Sequence, residues 1–263
     1  MGSDPLPVTQ WMGSDPFPVT RRWRVHVTLR INMWSGPRNL STAMMYSWRQ
    51  RADTTVFDEP LYAYYLAESG REHPGRDDTL ASQDNNGRSV IENVMLGEYD
   101  TPVVFFKQIA KHTVGLDLSF LSDFTNILLT REPHDMLSSW QVQMPDATVA
   151  DTGYPELLQI LDVILDAGQE PIVIETSRLL GDPAGILGQV CDRVGIDFDD
   201  AMLSWPAGPK PEDGVWAPYW YDGVWASTGW KPHAPKNVEL LPSIANALPE
   251  AQAAYNRLLP YRL

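Results

Sequence analysis

The chain has 263 residues, of which 43% are hydrophobic, and its formal net charge at pH 7 is -14. This length and apolar content are sufficient for one large α/β domain, and we expect a single one. The acidity argues against a general nucleic-acid-binding protein, because the overall field would repel a phosphate backbone. Cys191 is the only cysteine, which excludes an intramolecular disulfide and is typical of a reducing, cytoplasmic compartment.

The N-terminus carries a short duplication, since residues 1–11 are almost repeated at residues 12–23. A single tandem copy is not a solenoid. We therefore predict a flexible leader at residues 1–22 and a folded domain at residues 23–263. No apolar run approaches the roughly 20 residues that span a bilayer, and no signal-peptide pattern is visible. We expect a cytoplasmic protein with no membrane partner.

The first predicted strand leads into a loop that suits an anion. Residues 25–34 alternate and then become apolar, and a helix is predicted over residues 41–51. A helix N-terminus presents unpaired N–H groups and a positive dipole end to an anion. Arg38 adds a full charge, and Ser41 and Thr42 add hydroxyls. The loop is not a Walker A loop, because it has no Gly-Lys-Ser/Thr, and a plain strand–helix turn remains an alternative.

A carboxylate follows the second predicted strand, at residues 54–57. Pro60 favours an extended conformation at Glu59, which places this side chain at the carboxyl edge of the sheet, where ligands bind in open parallel sheets. The alternative is that Glu59 is an acid in the first turn of a following helix, where it helps to stabilise that helix. Residues 69–89 show no apolar periodicity and predict a mobile surface loop able to act as a lid.

The remaining pattern alternates strands with helices. Such alternation predicts a parallel sheet of about five strands that is flanked by helices. Residues 205–235 are rich in proline and tryptophan and predict a cap loop. Apolar runs predict buried strands at 102–107, 125–130 and 171–175, and helices are predicted at 89–96, 133–142, 154–167, 183–194 and 242–257.

A second anion site is predicted after the strand at residues 125–130. Arg131 ends this strand, and Ser139 lies two helical turns into the next helix. Both face one ligand only if the chain turns sharply at Pro133. A surface ion pair of Arg131 with a neighbouring acid is the alternative.

Four segments together resemble one family. Arg38-Asn-Leu-Ser-Thr42 resembles the 5′-phosphosulfate loop of sulfotransferases that use 3′-phosphoadenosine-5′-phosphosulfate, and residues 128–139 resemble their 3′-phosphate motif. Residues 173–196 are similar to the next strand–loop–helix, and residues 228–231 resemble the C-terminal Gly-Asp-Trp-Lys. Residues 34–46 are most similar to a bacterial and plant branch of sulfotransferase-like proteins. Leu40 departs from the pattern, because many members have glycine there, and the basic Arg-Lys-Gly before the C-terminal motif is absent.

This resemblance implies a P-loop-like sulfotransferase fold and transfer of a sulfuryl group to a hydroxyl or amine of a small acceptor. The cofactor would be 3′-phosphoadenosine-5′-phosphosulfate, the product adenosine 3′,5′-bisphosphate, and no metal would be required. The histidines are also too scattered for metal-ligand spacing. The residues implied in nucleotide binding are Arg38, Asn39, Leu40, Ser41, Thr42, Arg131, Ser139, Ser227, Thr228 and Gly229.

The resemblance also suggests catalytic roles. Arg38 would stabilise the leaving group, and Lys107 would reach the same oxygens unless it is an exposed strand-end lysine. Glu59 is the first candidate for the base that accepts the acceptor's proton, and His112 is the second, with a solvated surface histidine as its alternative. Aromatic residues would stack on adenine, line the acceptor pocket or belong to the core: Trp48, Trp216, Tyr219, Trp220, Tyr221, Trp225 and Trp230.

Two other functions stay open. One is a P-loop-like kinase of a small metabolite, and the other is a catalytically degenerate nucleotide-binding protein. The acidic composition favours a neutral or cationic acceptor over a polyanion. The oligomeric state is undecided by the sequence, with a homodimer among the possibilities.

Overall fold

The computed structural model describes residues 28–142, 144–145, 148–232 and 238–263. The predicted leader at residues 1–22, the start of the predicted domain and first strand, and the last three residues of the predicted cap loop lie outside these ranges. The described residues contain a five-stranded, all-parallel sheet in the order β2-β3-β1-β4-β5. Its strands are β1 (Leu29–Ser35), β2 (Thr54–Asp58), β3 (Val103–Ile109), β4 (Thr125–Thr130) and β5 (Ile172–Glu175).

The sheet is buried on both faces, as the continuous apolar runs predict. Every residue of β3 is buried. Successive side chains of a strand point to opposite faces, so Trp34 and Phe106 pack in one hydrophobic cluster while Met33 and Phe105 pack in the other. The prediction of a parallel sheet of five strands flanked by helices is confirmed.

The helices follow the predicted order. Two short helical segments, Ala217–Trp220 and Asp222–Trp225, lie within the cap loop, and a 3₁₀ turn at Ala110–Thr113 follows β3. The helices are α1 (Ser41–Arg49), α2 (Tyr62–Ser69), α3 (Arg76–Ser82), α4 (Gly87–Val90) with a π-helical turn at Ile91–Met95, α5 (Pro133–Trp140), α6 (Tyr154–Asp166), α7 (Thr176–Gly181), α8 (Pro183–Val194), α9 (Ala217–Trp220), α10 (Asp222–Trp225), α11 (Pro242–Ala245) and α12 (Leu248–Leu258).

Two element predictions need correction. The predicted loop at residues 69–89 contains α3 and the start of α4, because helices this short bury too few residues to show an apolar period; only Thr79 of α3 is buried. The predicted final helix is divided into α11 and α12. In the described ranges, no helix is long and apolar enough to cross a bilayer.

The topology creates a crevice outside the carboxyl ends of β1 and β4. These strands are neighbours, yet the chain leaves β1 toward β2 on one side of the sheet and leaves β4 toward β5 on the other. Ligands of open α/β sheets bind at such a topological switch point.

Candidate active site

A cavity of about 480 Å³ lies at the carboxyl edge of the sheet, within the usual size range of small-molecule sites. Residues that follow β1, β2, β3 and β4 line it together with the cap. We divide its lining into two parts. The arginine half comprises Arg38–Thr42, Arg131 and Ser139, and the glutamate half comprises Glu59, Tyr62, His73, Lys107, Lys111, His112 and Tyr221.

The loop after β1 holds an unusual backbone conformation. Arg38 has φ 60° and Leu40 has φ 65°, both in the left-handed region, which costs a non-glycine residue roughly 1–2 kcal/mol. Leu40 therefore adopts the conformation for which glycine is suited at this family position. Leu40 is also the N-cap of α1 and provides no side-chain cap, so the first N–H groups of α1 have no side-chain acceptor.

Arg38, Arg131 and Ser139 meet at this loop. The Arg38 Nε donates to the Ser139 Oγ at 3.2 Å, and the Arg131 Nη1 donates to the Arg38 carbonyl at 3.0 Å. Burial and the neighbouring Arg131 charge lower the pKa of Arg38. Among the described residues, no carboxylate forms an ion pair with Arg38. The structure thus places the two predicted anion-binding segments side by side.

The remaining loop residues differ in what their side chains offer. The buried Asn39 amide lies against the backbone of Gly36, Pro37 and Leu129, and so it shapes the loop. Ser41 and Thr42 line the cavity, as predicted for the first turn of α1.

The predicted contribution of residues 227–229 is only partly present in the cavity wall. Ser227 and Gly229 line the cavity, but Thr228 is exposed and does not. The Ser227 Oγ donates to the Val224 carbonyl at 2.6 Å and accepts from the Trp205 Nε1 at 3.0 Å, so its hydrogen-bonding capacity is largely used.

Lys107 is fully buried, which corrects the alternative of an exposed strand-end lysine. Its ammonium donates to Asp58 at 2.8 Å, to the Tyr221 hydroxyl at 2.6 Å, and to Glu59. Burial alone would lower the pKa of Lys107, but the charges of Asp58 and Glu59 raise it well above its usual value. Because these partners already occupy the ammonium, Lys107 is less free to bind donor oxygens than we expect from the sequence.

Glu59 lies at the centre of the glutamate half. Its φ of 45° corrects the extended conformation expected before Pro60. Its side chain is buried at the carboxyl edge of the sheet, and its Oε1 accepts from Lys107. The Oε2 lies 3.9 Å from the His112 Nδ1. Burial raises the pKa of Glu59, although the charge of Lys107 opposes the shift.

His112 is buried rather than solvated. Its ring stacks on those of Tyr62 and Tyr65, with centroids 4.8 Å away in both cases. Burial, followed by the charge of Lys111, lowers its pKa well below the usual value, so the imidazole is neutral at pH 7. Glu59 and His112, the two candidate bases, both line the same cavity.

The aromatic residues divide between the cavity and the core. Trp216, Trp220, Tyr221 and Trp230 line the cavity. The others do not: Trp48 stacks on Phe105 in the core with centroids 4.9 Å apart, Tyr219 is half exposed, and the Trp225 Nε1 donates to Asp213 within the cap at 2.9 Å.

Comparison with known proteins decides the family. The sulfotransferase domain family matches residues 29–257 of this chain. The chain belongs to the sulfotransferase family. A sulfotransferase from Alicyclobacillus acidocaldarius has the same fold, with a TM-score of 0.51 and 12% identity over 89% of this chain and 97% of its own. The family membership expected from the sequence is confirmed.

Two curated relatives of this chain come from Arabidopsis thaliana. Branched-chain-amino-acid aminotransferase-like protein 1 is 40% identical over 201 residues, and protein 2 is 37% identical over 201 residues. Each match covers 76% of this chain and 36% of the relative. The chain therefore spans about a third of the length of these relatives, and their names describe much longer proteins.

Several contacts at the cavity have no clear signal in the sequence. Asp58 accepts hydrogen bonds from Lys107, from the Tyr221 hydroxyl at 2.8 Å and from the Gly214 N–H at 3.0 Å, which anchors the cap to the end of β2. The position of Asp58 beside Glu59 is the only available hint. His73 and Lys111 also line the cavity without having been predicted there.

Potential metal ligands are closer together than the scattered histidines suggest. Glu132, His134 and Asp135 offer ligand atoms that lie within 4.8 Å of one another at the start of α5. Glu132 already accepts from the Asp135 N–H at 2.8 Å as the N-cap of this helix. The spacing of histidines in the sequence does not reveal this cluster, because two of its three members are carboxylates.

Proposed function

We propose that this sulfotransferase uses 3′-phosphoadenosine-5′-phosphosulfate as its donor and transfers the sulfuryl group to a hydroxyl, or an amine, of a small-molecule acceptor. The observation that carries the proposal is the arginine half. There, Arg38 and Arg131 come from two strand ends and meet beside the uncapped N-terminus of α1. Helix N-termini and arginines are the groups that bind phosphate and sulfate oxygens.

The residues of the arginine half fit such a nucleotide. Burial lowers the pKa of both half-buried arginines, and the charge of Arg131 lowers the pKa of Arg38 further. Arg38 forms no ion pair within the described part of the chain, so an anion would stabilise its charge. The α1 N-terminus, Ser41 and Thr42 would bind the 5′ end, and Arg131 and Ser139 would bind the 3′-phosphate. The bound donor would supply the sulfuryl group and depart as adenosine 3′,5′-bisphosphate.

Arg38 and the N–H groups of α1 would oppose the negative charge that grows on the leaving phosphate. They are held in place before reaction by the strand–loop–helix geometry, so little reorganisation is needed. Tyr221 and Asp58 position Lys107, which in turn fixes the Oε1 of Glu59.

Glu59 would act as the base. Its Oε1 is engaged by Lys107, and its Oε2 is the oxygen available to take the proton of an acceptor hydroxyl. Burial raises its pKa, which makes the carboxylate a better proton acceptor at neutral pH. His112 is the second candidate, because its neutral Nδ1 has no hydrogen-bond partner in the described structure.

Ligand-dependent thermal stability tests the donor. We expect adenosine 3′,5′-bisphosphate to raise the melting temperature, since a ligand at 100 times its Kd adds about 2.7 kcal/mol to stability. ATP with magnesium should have little effect. Stabilisation by ATP and magnesium instead would support the kinase alternative, and a response to neither nucleotide would contradict the proposal.

A further inference from the structure

Lys111 is a buried lysine whose ammonium is unpaired in the part of the chain that the structure describes. It lies in the 3₁₀ turn after β3, is only 7% exposed, and lines the cavity in the glutamate half. Within the described ranges its ammonium forms no ion pair and no hydrogen bond. The ammonium lies over the ring of Tyr65, whose centroid is 5.1 Å from the Nζ.

The carboxylates around Lys111 are used elsewhere or lie too far away for an ion pair. Asp151 pairs with the Arg71 Nη2 at 3.1 Å, and its other oxygen accepts the Thr148 N–H at 3.0 Å and the Thr148 hydroxyl at 2.9 Å. Glu59 is paired with Lys107. Glu156 acts on Lys111 only through longer-range electrostatics, and burial raises the pKa of this carboxyl.

Lys107 provides an internal comparison, since it lies in β3 four residues before Lys111 and lines the same cavity. Two carboxylates and a hydroxyl surround Lys107, and its pKa is raised. Burial instead lowers the pKa of Lys111. A buried charge without a partner is costly for a folded protein, and the cavity beside Lys111 is where a partner can enter.

The charge of the cavity wall differs in sign from the charge of the whole chain. Among the described residues that line the cavity, five are lysine or arginine and one is a carboxylate: Arg38, Lys107, Lys111, Arg131 and Lys231 against Glu59. The nucleotide would use the arginines, and Glu59 neutralises Lys107. Lys111 and Lys231 are the cations that remain, and of these two only Lys111 is buried, since Lys231 is exposed.

We propose that the acceptor is a small hydroxy- or aminocarboxylate, and that Lys111 binds its carboxylate while the reacting group lies at Glu59. This substrate class rests on the proposed function. It differs from the neutral or cationic acceptor that the acidic composition favours, because the local field in the cavity is set by its own lining and not by the net charge of the surface.

Acids and their uncharged esters provide the test. In the presence of adenosine 3′,5′-bisphosphate, calorimetry would measure the binding of lactate, mandelate and hydroxyphenylacetate, each beside its methyl ester. We expect at least one acid to bind about tenfold more tightly than its ester, equivalent to about 1.4 kcal/mol. Lys111→Met should reduce this preference to within about twofold, and Lys111→Arg, which retains the charge, should preserve most of it.

Stability separates ligand binding from a structural role. Lys111→Met removes an unpaired buried charge and keeps an unbranched side chain that is one heavy atom shorter, so we expect a melting temperature equal to or above that of the wild type. Equal binding of acids and esters by the wild type would overturn the proposal. A lower melting temperature for Lys111→Met with an unchanged acid preference would also overturn it. If the nucleotide does not bind, the proposed function fails, while the same comparison without nucleotide still judges Lys111.

Discussion

The two halves of the cavity treat their charges in opposite ways. In the arginine half, Arg38 and Arg131 lie close together, and Arg38 has no carboxylate partner in the described structure. In the glutamate half, Lys107 and Glu59 form a buried pair that Asp58 and Tyr221 complete. The difference teaches that the arginine half is built to receive an anion, whereas the Lys107–Glu59 pair of the other half is already neutralised and holds a base in one position, with Lys111 beside it as the unpaired charge of that half among the described residues.

Both halves hold strained backbone. Among the described residues, the non-glycine residues with positive φ are Arg38, Leu40 and Glu59, and all three line the cavity. Residues in this region cost of order 1–3 kcal/mol each and persist where the surrounding structure fixes them. The strain therefore coincides with the residues that we assign to donor binding and proton transfer.

Removal of the Arg38 charge, which has no carboxylate partner in the described structure, should have the largest effect. We expect Arg38→Met to lower sulfuryl transfer by about 10³-fold, in line with loss of one preorganised donor, and to abolish stabilisation by adenosine 3′,5′-bisphosphate. Initial rates and melting curves measure both. Arg257→Met, which alters an exposed arginine on α12, is the control and should change neither. If Arg38→Met bound the nucleotide as tightly as the wild type does, the arginine half would not differ from the glutamate half in receiving charge from the nucleotide.

Removal of the base should affect turnover without affecting the nucleotide. We expect Glu59→Gln to lower sulfuryl transfer by about 10²- to 10⁴-fold while the Kd of adenosine 3′,5′-bisphosphate stays within about twofold. His112→Gln, measured beside it, should have the smaller effect. A larger loss in His112→Gln would transfer the role of base to His112.

The pH profile provides a separate test of Glu59. Its pKa is raised above the usual 4.5, mainly by burial. A base works when deprotonated, so kcat/KM should fall as the pH decreases through this raised pKa, and the limb should be missing in Glu59→Gln. His112 has a lowered pKa and cannot produce a limb between its usual 6.5 and neutral pH. A limb near 6.5 that disappears in His112→Gln would contradict this assignment.

The anchor between the cap and the sheet should have a smaller effect. Tyr221→Phe removes a hydroxyl that contacts both Asp58 and Lys107, and we expect the free energy of unfolding to fall by about 1–3 kcal/mol. Denaturant titration measures the change. Tyr219→Phe is the matched control, because Tyr219 is half exposed, and it should alter stability by less than about 0.5 kcal/mol. Equal losses in the two variants would exclude the anchor.

The smallest effect is expected at Leu40. Because its φ is 65°, Leu40→Gly should leave the free energy of unfolding unchanged or raise it by up to about 1 kcal/mol. Ala43→Gly, in the first turn of the same helix, should lower it by up to about 1 kcal/mol. A destabilisation of Leu40→Gly as large as that of Ala43→Gly would show that the backbone there is not strained.

The sequence predicts the framework of this site better than its interior. Continuous apolar runs identify β3 and β4, and residues that follow parallel strands, such as Glu59 after β2 and Arg131 after β4, lie along one edge of the sheet. The contact between Asp58 and Tyr221 joins residues 163 positions apart, and no local pattern encodes it.

Burial beneath a neighbouring helix is equally hidden from the sequence. His112 and Lys111 have the polar character of a solvated turn, but α2 places Tyr62 and Tyr65 over that turn. Leu40 shows another limit, since a leucine in the sequence gives no hint of the left-handed conformation that the structure has there.

Transfer of a radiolabelled sulfuryl group from 3′-phosphoadenosine-5′-phosphosulfate to a pool of small metabolites tests the central claim most directly. The account predicts a labelled small molecule with the wild type and a rate of labelling at least about 10²-fold lower with Arg38→Met or Glu59→Gln, of which only Glu59→Gln still binds adenosine 3′,5′-bisphosphate. A wild-type protein that binds this nucleotide but transfers no label to any acceptor would contradict the account.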